Sequence, residues 1–226
     1  MMVLKLSSVI PLYIFLAKMK EEYMKYILDY LPQKAEIVVG LAIKKNSHYL
    51  FFIAGERHNC SDGELFYAGI GGHLKEGENL IECGQREADE EIGLIPNIIS
   101  SVKTQYISKD GSINEMKIKN DIKPFAIYEM IHQDRTPKAG ELYHIIIYEA
   151  ELKETPRKLK RDEVRSIIAL TKEQVIKSKI RKPRLGKLKK EGAKIIAGKE
   201  NVNNEIKLYP IGTAKALAEI FSIHRK

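Results

Sequence analysis

Residues 79–93 carry the local signals of a well-bounded helix, and that helix bears three acids on one narrow face. Asn79 is a good N-cap, and Glu82 three residues later completes a capping box. Gly93 supplies a left-handed stop, and Pro96 follows shortly after. Glu87, Glu90 and Glu91 are spaced i, i+3, i+4, an arc of about 100° on a helix. Carboxylates so crowded repel one another and cost stability unless a cation lies among them. Hard divalent cations take oxygen ligands of this kind. Arg86 precedes Glu87 and lies four residues after Glu82, so its guanidinium is placed to fix carboxylates in a bidentate bond. Ile81, Gly84, Ala88 and Ile92 form an apolar stripe with small residues in it, which predicts close docking on a sheet. A solvated acidic surface is the plainer account of the three acids. The double glycine Gly71-Gly72 just ahead weighs against it, because backbone groups there can approach a ligand closely.

The rest of the chain supplies the sheet. Residues 35–43 (AEIVVGLAI) and 48–55 (HYLFFIAG) read as strands joined by a hairpin turn at 44–47. Residues 65–70 read as a short strand leading into the double glycine. Further strands are expected at 102–108, 115–119, 124–131 and 143–152. A helix over 171–179 has Thr171 as cap with Gln174 three on, and two more helices are expected near 184–197 and 213–222, the second capped by Thr213. The order is helix, strands, helix, strands, helix, an α+β pattern in which helices cover a mixed sheet. No repeat or low-complexity tract interrupts it.

A chain of 226 residues with 44% hydrophobic content suits one domain with extensions. No stretch reaches the roughly 18 apolar residues that span a bilayer, so no membrane partner is expected. Residues 9–17 (VIPLYIFLA) follow Lys5 and have some signal-peptide character, yet no small-x-small cleavage site follows cleanly. Residues 1–33 read instead as a helical segment that docks its apolar side on the domain or on a second copy in a homodimer. Cys60 and Cys83 read as free thiols in a reducing compartment, which implies a cytoplasmic location. Net charge is +8, concentrated in residues 157–199, which hold 16 Lys and Arg against 4 Asp and Glu. Such asymmetry points to anionic partners, with a solvated basic face as the plainer account.

Residues 72–94 (GHLKEGENLIECGQREADEEIGL) resemble the Nudix signature G-x5-E-x7-R-E-U-x-E-E-x-G-U, where U is aliphatic. Gly72, Glu78, Arg86, Glu87, Glu90, Glu91 and Gly93 fill the seven fixed positions, and Ala88 and Leu94 the two apolar ones. From average residue usage, a chance match in such a chain is on the order of one in a million. Ala88 is smaller than the usual aliphatic. The flanking strands fit as well, and residues 162–175 (DEVRSIIALTKEQV) resemble the family's last strand and C-terminal helix. The resemblance divides the chain into an N-terminal helical extension (1–33), a Nudix domain (34–180) and a basic helical C-terminal extension (181–226). It implies an α/β/α sandwich around a mixed sheet.

It also implies hydrolysis of a nucleoside diphosphate linked to another group, with Mg2+ or Mn2+ as cofactor and a small nucleotide as substrate. Carried over by position, Glu87, Glu90, Glu91 and the Gly72 carbonyl are the expected metal ligands. Glu78 supports Arg86 or a metal-bound water. The general base is Glu87 or Glu90 on the helix, or Glu141 or Glu163 on a later loop. Arg57 is a candidate phosphate contact, and His73 a candidate contact for a phosphate or a metal-bound water. Two other readings remain open. An RNA 5′-end pyrophosphohydrolase would use the basic segment to hold the strand, although few aromatics interleave with those charges. A ligand-sensing regulator would bind nucleic acid through the C-terminal residues, although some 45 residues are short for a winged helix and a sensor has no need of every catalytic acid.

Overall fold

The hairpin forms where two continuous apolar runs, buried on both faces, flank a polar turn. β1 (Glu36–Lys45) and β2 (His48–Ala54) pair antiparallel, and Asn46 turns the corner at φ 56°, a left-handed conformation that its short polar side chain tolerates. The computed structural model describes residues 26–58, 60–132, 138–198 and 202–223. Ten further strands follow: β3 (Glu64–Ala68), β4 (Ile70–His73), β5 (Asn97–Ile99), β6 (Thr104–Ile107), β7 (Ile113–Met116), β8 (Ala126–Ile131), β9 (Leu142–Glu151), β10 (Val164–Thr171), β11 (Lys194–Gly198) and β12 (Lys207–Pro210). The main path through the sheet is β11-β10-β2-β1-β9-β8-β6-β7. β1 runs parallel to β9 and antiparallel to β2, so the sheet is mixed.

One detail of β1 shapes the site. Its C-terminal end pairs with β2 (Ile43↔Leu50), whereas its N-terminal half pairs with β4 (Leu41↔Ile70 to Val38↔His73). The sheet divides at this change of partner.

Helices cover both faces. On one, α1 (Leu80–Ile92) lays Leu80, Cys83, Ala88 and Ile92 on Val39, Leu41 and Ile43. Gly84 permits the closeness, since a Cβ there would meet Leu41 Cδ2 at 3.1 Å and Val39 Cγ1 at 3.3 Å. On the other face, α2 (Lys172–Ser178), α3 (Leu185–Lys190) and α4 (Gly212–Ile223) bury Val175, Leu188, Leu217 and Phe221 among others. Thr171 caps α2 with Gln174, as expected. The architecture is thus an α+β sandwich with a mixed sheet inside. Among the described residues no helix is long and apolar enough to cross a membrane.

Several expectations need correction. The helix expected over 184–197 stops at Lys190. Gly192, at φ 102°, turns the chain, and residues 194–198 join β10 as an edge strand. β12 was not foreseen; it runs parallel to β3 and carries one fully buried side chain, Leu208. Thr213 does not cap the last helix but lies inside its first turn, buried. The strand expected over 65–70 breaks at Gly69 into β3 and β4. The helix expected over 1–33 lies mostly outside the described residues. Its described end is one 3-10 turn, Ile27–Tyr30. Leu31 is extended because Pro32 follows it. Ile27 and Leu31 are buried in the cluster under α1, while Tyr26 and Leu28 are exposed.

Candidate active site

α1 is fixed at both ends by the residues that signalled it. The Asn79 side chain accepts from the Ile81 and Glu82 amides at 2.9 and 3.0 Å, and the Asn79 amide donates to Glu82 at 3.0 Å. Gly93 closes the helix at φ 66°, donating to the Asp89 carbonyl at 2.9 Å. The buried face is rotated from the expected stripe: Ile81 is only half-buried, and Cys83 and Glu91 are inside.

The helix lies against β4 at the double glycine. A Cβ on Gly72 would stand 2.3 Å from the Glu87 carboxyl carbon, so only a bare Cα lets Glu87 press against this strand. Arg86 organises the acids. Its guanidinium grips Glu78 through two bonds of 2.7 and 3.0 Å, reaches Glu87 at 2.5 Å and Glu90 at 3.4 Å, and donates to the His73 carbonyl at 3.1 Å. That grip holds the Glu78 carboxyl down at about 2.

Glu91 is the outlier. It is 5% exposed, and its Oε2 has no hydrogen-bond partner. Burial, then the charge of Glu87, push its pKa up to about 8; Glu163 adds to the rise, and the Gly71 amide and Lys160 oppose it. Glu163 is therefore brought to the acids, ion-paired to Arg57 and, at 2.9 Å, to Lys160. The Lys160 amide donates to the Glu91 carbonyl at 3.0 Å, which ties this loop to α1. Glu141 is tied instead to the loop of Lys138 and His132, its amide bonded to the Lys138 carbonyl.

His73 does not turn towards the acids. Its Nε2 meets Glu36 at 2.7 Å, and Glu36 also holds His132 at 3.2 Å and Lys138 at 2.5 Å. Lys138, foremost, and the two imidazoles hold the Glu36 carboxyl at about 2. This cluster had no sequence signal, since 96 and 102 residues separate Glu36 from His132 and Lys138.

Among the described residues no three His, Cys, Asp or Glu side chains converge as a ready metal cage. Arg86 instead holds Glu87 and Glu90 in ion pairs. The donor set nonetheless suits a hard divalent cation: oxygen atoms only, one carboxylate oxygen among them buried and unpartnered, with a raised pKa that a cation would reverse.

A cavity of about 420 Å3 opens where the sheet divides. Gly71 belongs to its wall, so it adjoins the acids. Phe52, Phe66, Tyr143 and Tyr209 give it aromatic sides, and Gly40 and Gly69 line it too. Those two glycines admit α4, for a Cβ would meet the Thr213 Oγ1 at 2.1 Å and its Cβ at 2.7 Å. Tyr209, Ile211, Gly212 and Thr213 complete the wall, a contribution invisible in the sequence. A larger cavity, about 630 Å3, lies at the N-terminal end of α1 beside Tyr26, Leu28 and Asn120, and shares Glu78 with the acidic face.

Residues 37–191 match the family model described as NUDIX domain. No curated protein matches the chain significantly. Solved structures similar to it include a NUDIX-family hydrolase from Clostridium perfringens, 13% identical over 85% of this chain and 99% of that one, with a TM-score of 0.45. A MutT protein from Methanosarcina mazei Go1 is 13% identical over 87% and 99%, at 0.43. A MutT NUDIX hydrolase from Burkholderia pseudomallei is 16% identical over 62% and 86%, at 0.39.

Proposed function

The chain belongs to the NUDIX domain family and is a pyrophosphohydrolase, and on that premise we propose a divalent-metal-dependent hydrolysis of a nucleoside diphosphate linked to another group. The observation that carries this reading is the buried, unpartnered carboxylate oxygen of Glu91, pressed by the charge of Glu87 on the helix that also bears Glu90. Those three acids, with the Gly72 carbonyl, would hold Mg2+ or Mn2+. When bound, the metal neutralises phosphoryl oxygens and makes a water acidic near neutral pH. The protein supplies the rest. The water oxygen bonds to one phosphorus, the bridging oxygen leaves with its electron pair, and a carboxylate takes the water's proton. Glu163 is favoured over Glu141 for that proton because it adjoins Glu91. Glu78 and Arg86 position Glu87, and Arg57, with its exposed guanidinium, is placed to trade Glu163 for a phosphate. His73 contributes its carbonyl to Arg86, while its ring serves Glu36. The aromatic cavity beside Gly71 receives the nucleoside.

A panel of nucleoside diphosphate derivatives, assayed for released monophosphate with Mg2+ or Mn2+, tests the reading. Turnover of at least one member is expected, abolished by excess chelator. Turnover undiminished in chelator, or none across the panel with either metal, would overturn it.

Gly72→Ala separates positioning from folding. The nearest atoms the new methyl meets are those of the Glu87 carboxylate, the far end of a flexible side chain, so stability should change by less than about 1 kcal/mol. Displacing that carboxylate by even an ångström should cut kcat on the order of 10–100-fold. Unchanged kcat in a chain of unchanged melting temperature would remove Glu87 from the site.

A further inference from the structure

We propose that a second cavity, beside Tyr209, is an anion subsite that takes a phosphate on the far side of the substrate's nucleoside, as a 3′-phosphate would be; this rests on the nucleoside occupying the aromatic cavity. The second cavity, about 390 Å3, shares Met130, Tyr209 and Ile211 with the first as a common wall. A ligand seated against Gly71 therefore leads over Tyr209 towards it. Four cations line it, Lys179, Arg181, Lys182 and Lys215, against a single acid, Glu219.

Two of the four are already occupied. Lys179 pairs with Glu219 at 2.5 Å. Lys182 pairs with Glu64 at 2.5 Å and lies over the Tyr209 ring at 4.6 Å, which braces the shared wall. Arg181 and Lys215 hold no ion pair with any described residue. They come from different elements, the loop after α2 and the first turn of α4, and converge on one concavity. Cations following α2 oppose the negative end of its dipole, which is a sufficient reason for Lys179 alone. Lys215 has the opposite placement: it sits at the positive end of α4, where the helix disfavours a cation. Two exposed cations without such an ion pair face one hollow whose walls are otherwise largely apolar, which suits them to a doubly charged oxyanion, and Arg181 offers the planar fork that binds phosphate in two places.

The group has two sources, a terminal 3′-phosphate on a small nucleotide or the first phosphodiester of an RNA 5′ end. Calorimetry on the full chain with Mg2+ distinguishes them, using 5′-monophosphate, 3′,5′-bisphosphate and 5′-phosphorylated dinucleotide probes, each with adenine and with guanine. The bisphosphate is expected to bind about tenfold more tightly than the monophosphate, and Arg181→Gln with Lys215→Gln should erase that gain while leaving monophosphate affinity unchanged. An equal gain for the dinucleotide identifies an RNA end as the source; a gain for the bisphosphate alone identifies a small nucleotide. Equal affinity for monophosphate and bisphosphate, a gain that survives in the double variant, or no binding by any probe overturns the subsite. If the substrate panel still shows metal-dependent turnover, only the subsite has failed; if the panel is silent too, the hydrolase reading fails with it.

Discussion

Glu91→Gln is expected to lower turnover on the order of 100-fold or more while making the metal-free chain more stable above neutral pH. The two effects have one origin. Glu91 is buried with an unpartnered oxygen, facing Glu87 and Glu163, with the Gly71 amide and Lys160 in opposition. Ionising it there without a metal is costly. Its folded pKa, about 8, stands above the ordinary 4.5. The sign follows from linkage: the protonated acid's contribution to stability is full below about 4.5 and is lost as pH rises towards 8. Gln titrates nowhere in that window. In excess chelator the wild-type chain should therefore lose stability between about pH 5 and 8 relative to the variant. At pH 9 the gap should reach on the order of 5 kcal/mol, or roughly 10–20 °C in melting temperature.

Mg2+ or Mn2+ should reverse the order. Bound to ionised Glu91, it repays the cost in the wild type and raises its melting temperature with concentration. The variant should gain much less. Melting curves of both chains from pH 5 to 9, with chelator and with metal, decide the matter. Parallel pH profiles for the two chains would remove Glu91 as the titrating group. Full turnover in Glu91→Gln would place the chemistry elsewhere.

What the sequence made legible was local. The N-cap, capping box and Gly93 stop of α1 each act over four residues or fewer, so reading along the chain finds them. The same holds for Thr171 with Gln174 and for the Asn46 turn. The acids were legible because helical geometry alone places Glu87, Glu90 and Glu91 together. Their partners were less so. Arg86 was expected to orient carboxylates and does, but its reach to the His73 carbonyl depends on how β4 docks. Glu36, His132 and Lys138 meet only through the strand order, β1 beside β9 and β9 beside β8. β11 and β12 escaped notice because Lys, Leu and Ala in residues 185–197 favour helix, and strands of four or five residues exist only by virtue of their partners.

That blind spot leads to the second large effect. Ending the chain after residue 201 should abolish the folded state, although the basic C-terminal residues read as an extension. Residues 202–223 bury Leu208, Leu217, Ile220 and Phe221 against the face of the sheet opposite α1. Each such burial stabilises by about 1.5–3 kcal/mol, so the four together supply roughly 6–12 kcal/mol. A domain's whole net stability is about 5–15 kcal/mol. The shortened chain should also expose the unpaired edge of β3 and the apolar face beneath α4, and so aggregate or keep only loose packing. Gly40→Val tests the same contact without deletion. Its side chain begins 2.1 Å from the Thr213 Oγ1 and must push α4 off β1, at a cost of about 1–3 kcal/mol. Because Gly40 and Thr213 both line the aromatic cavity, KM should rise further than kcat falls. A chain ending at 201 that melts cooperatively, shows native near-ultraviolet dichroism and turns over substrate with unchanged KM would show that α4 and β12 build neither the core nor the cavity.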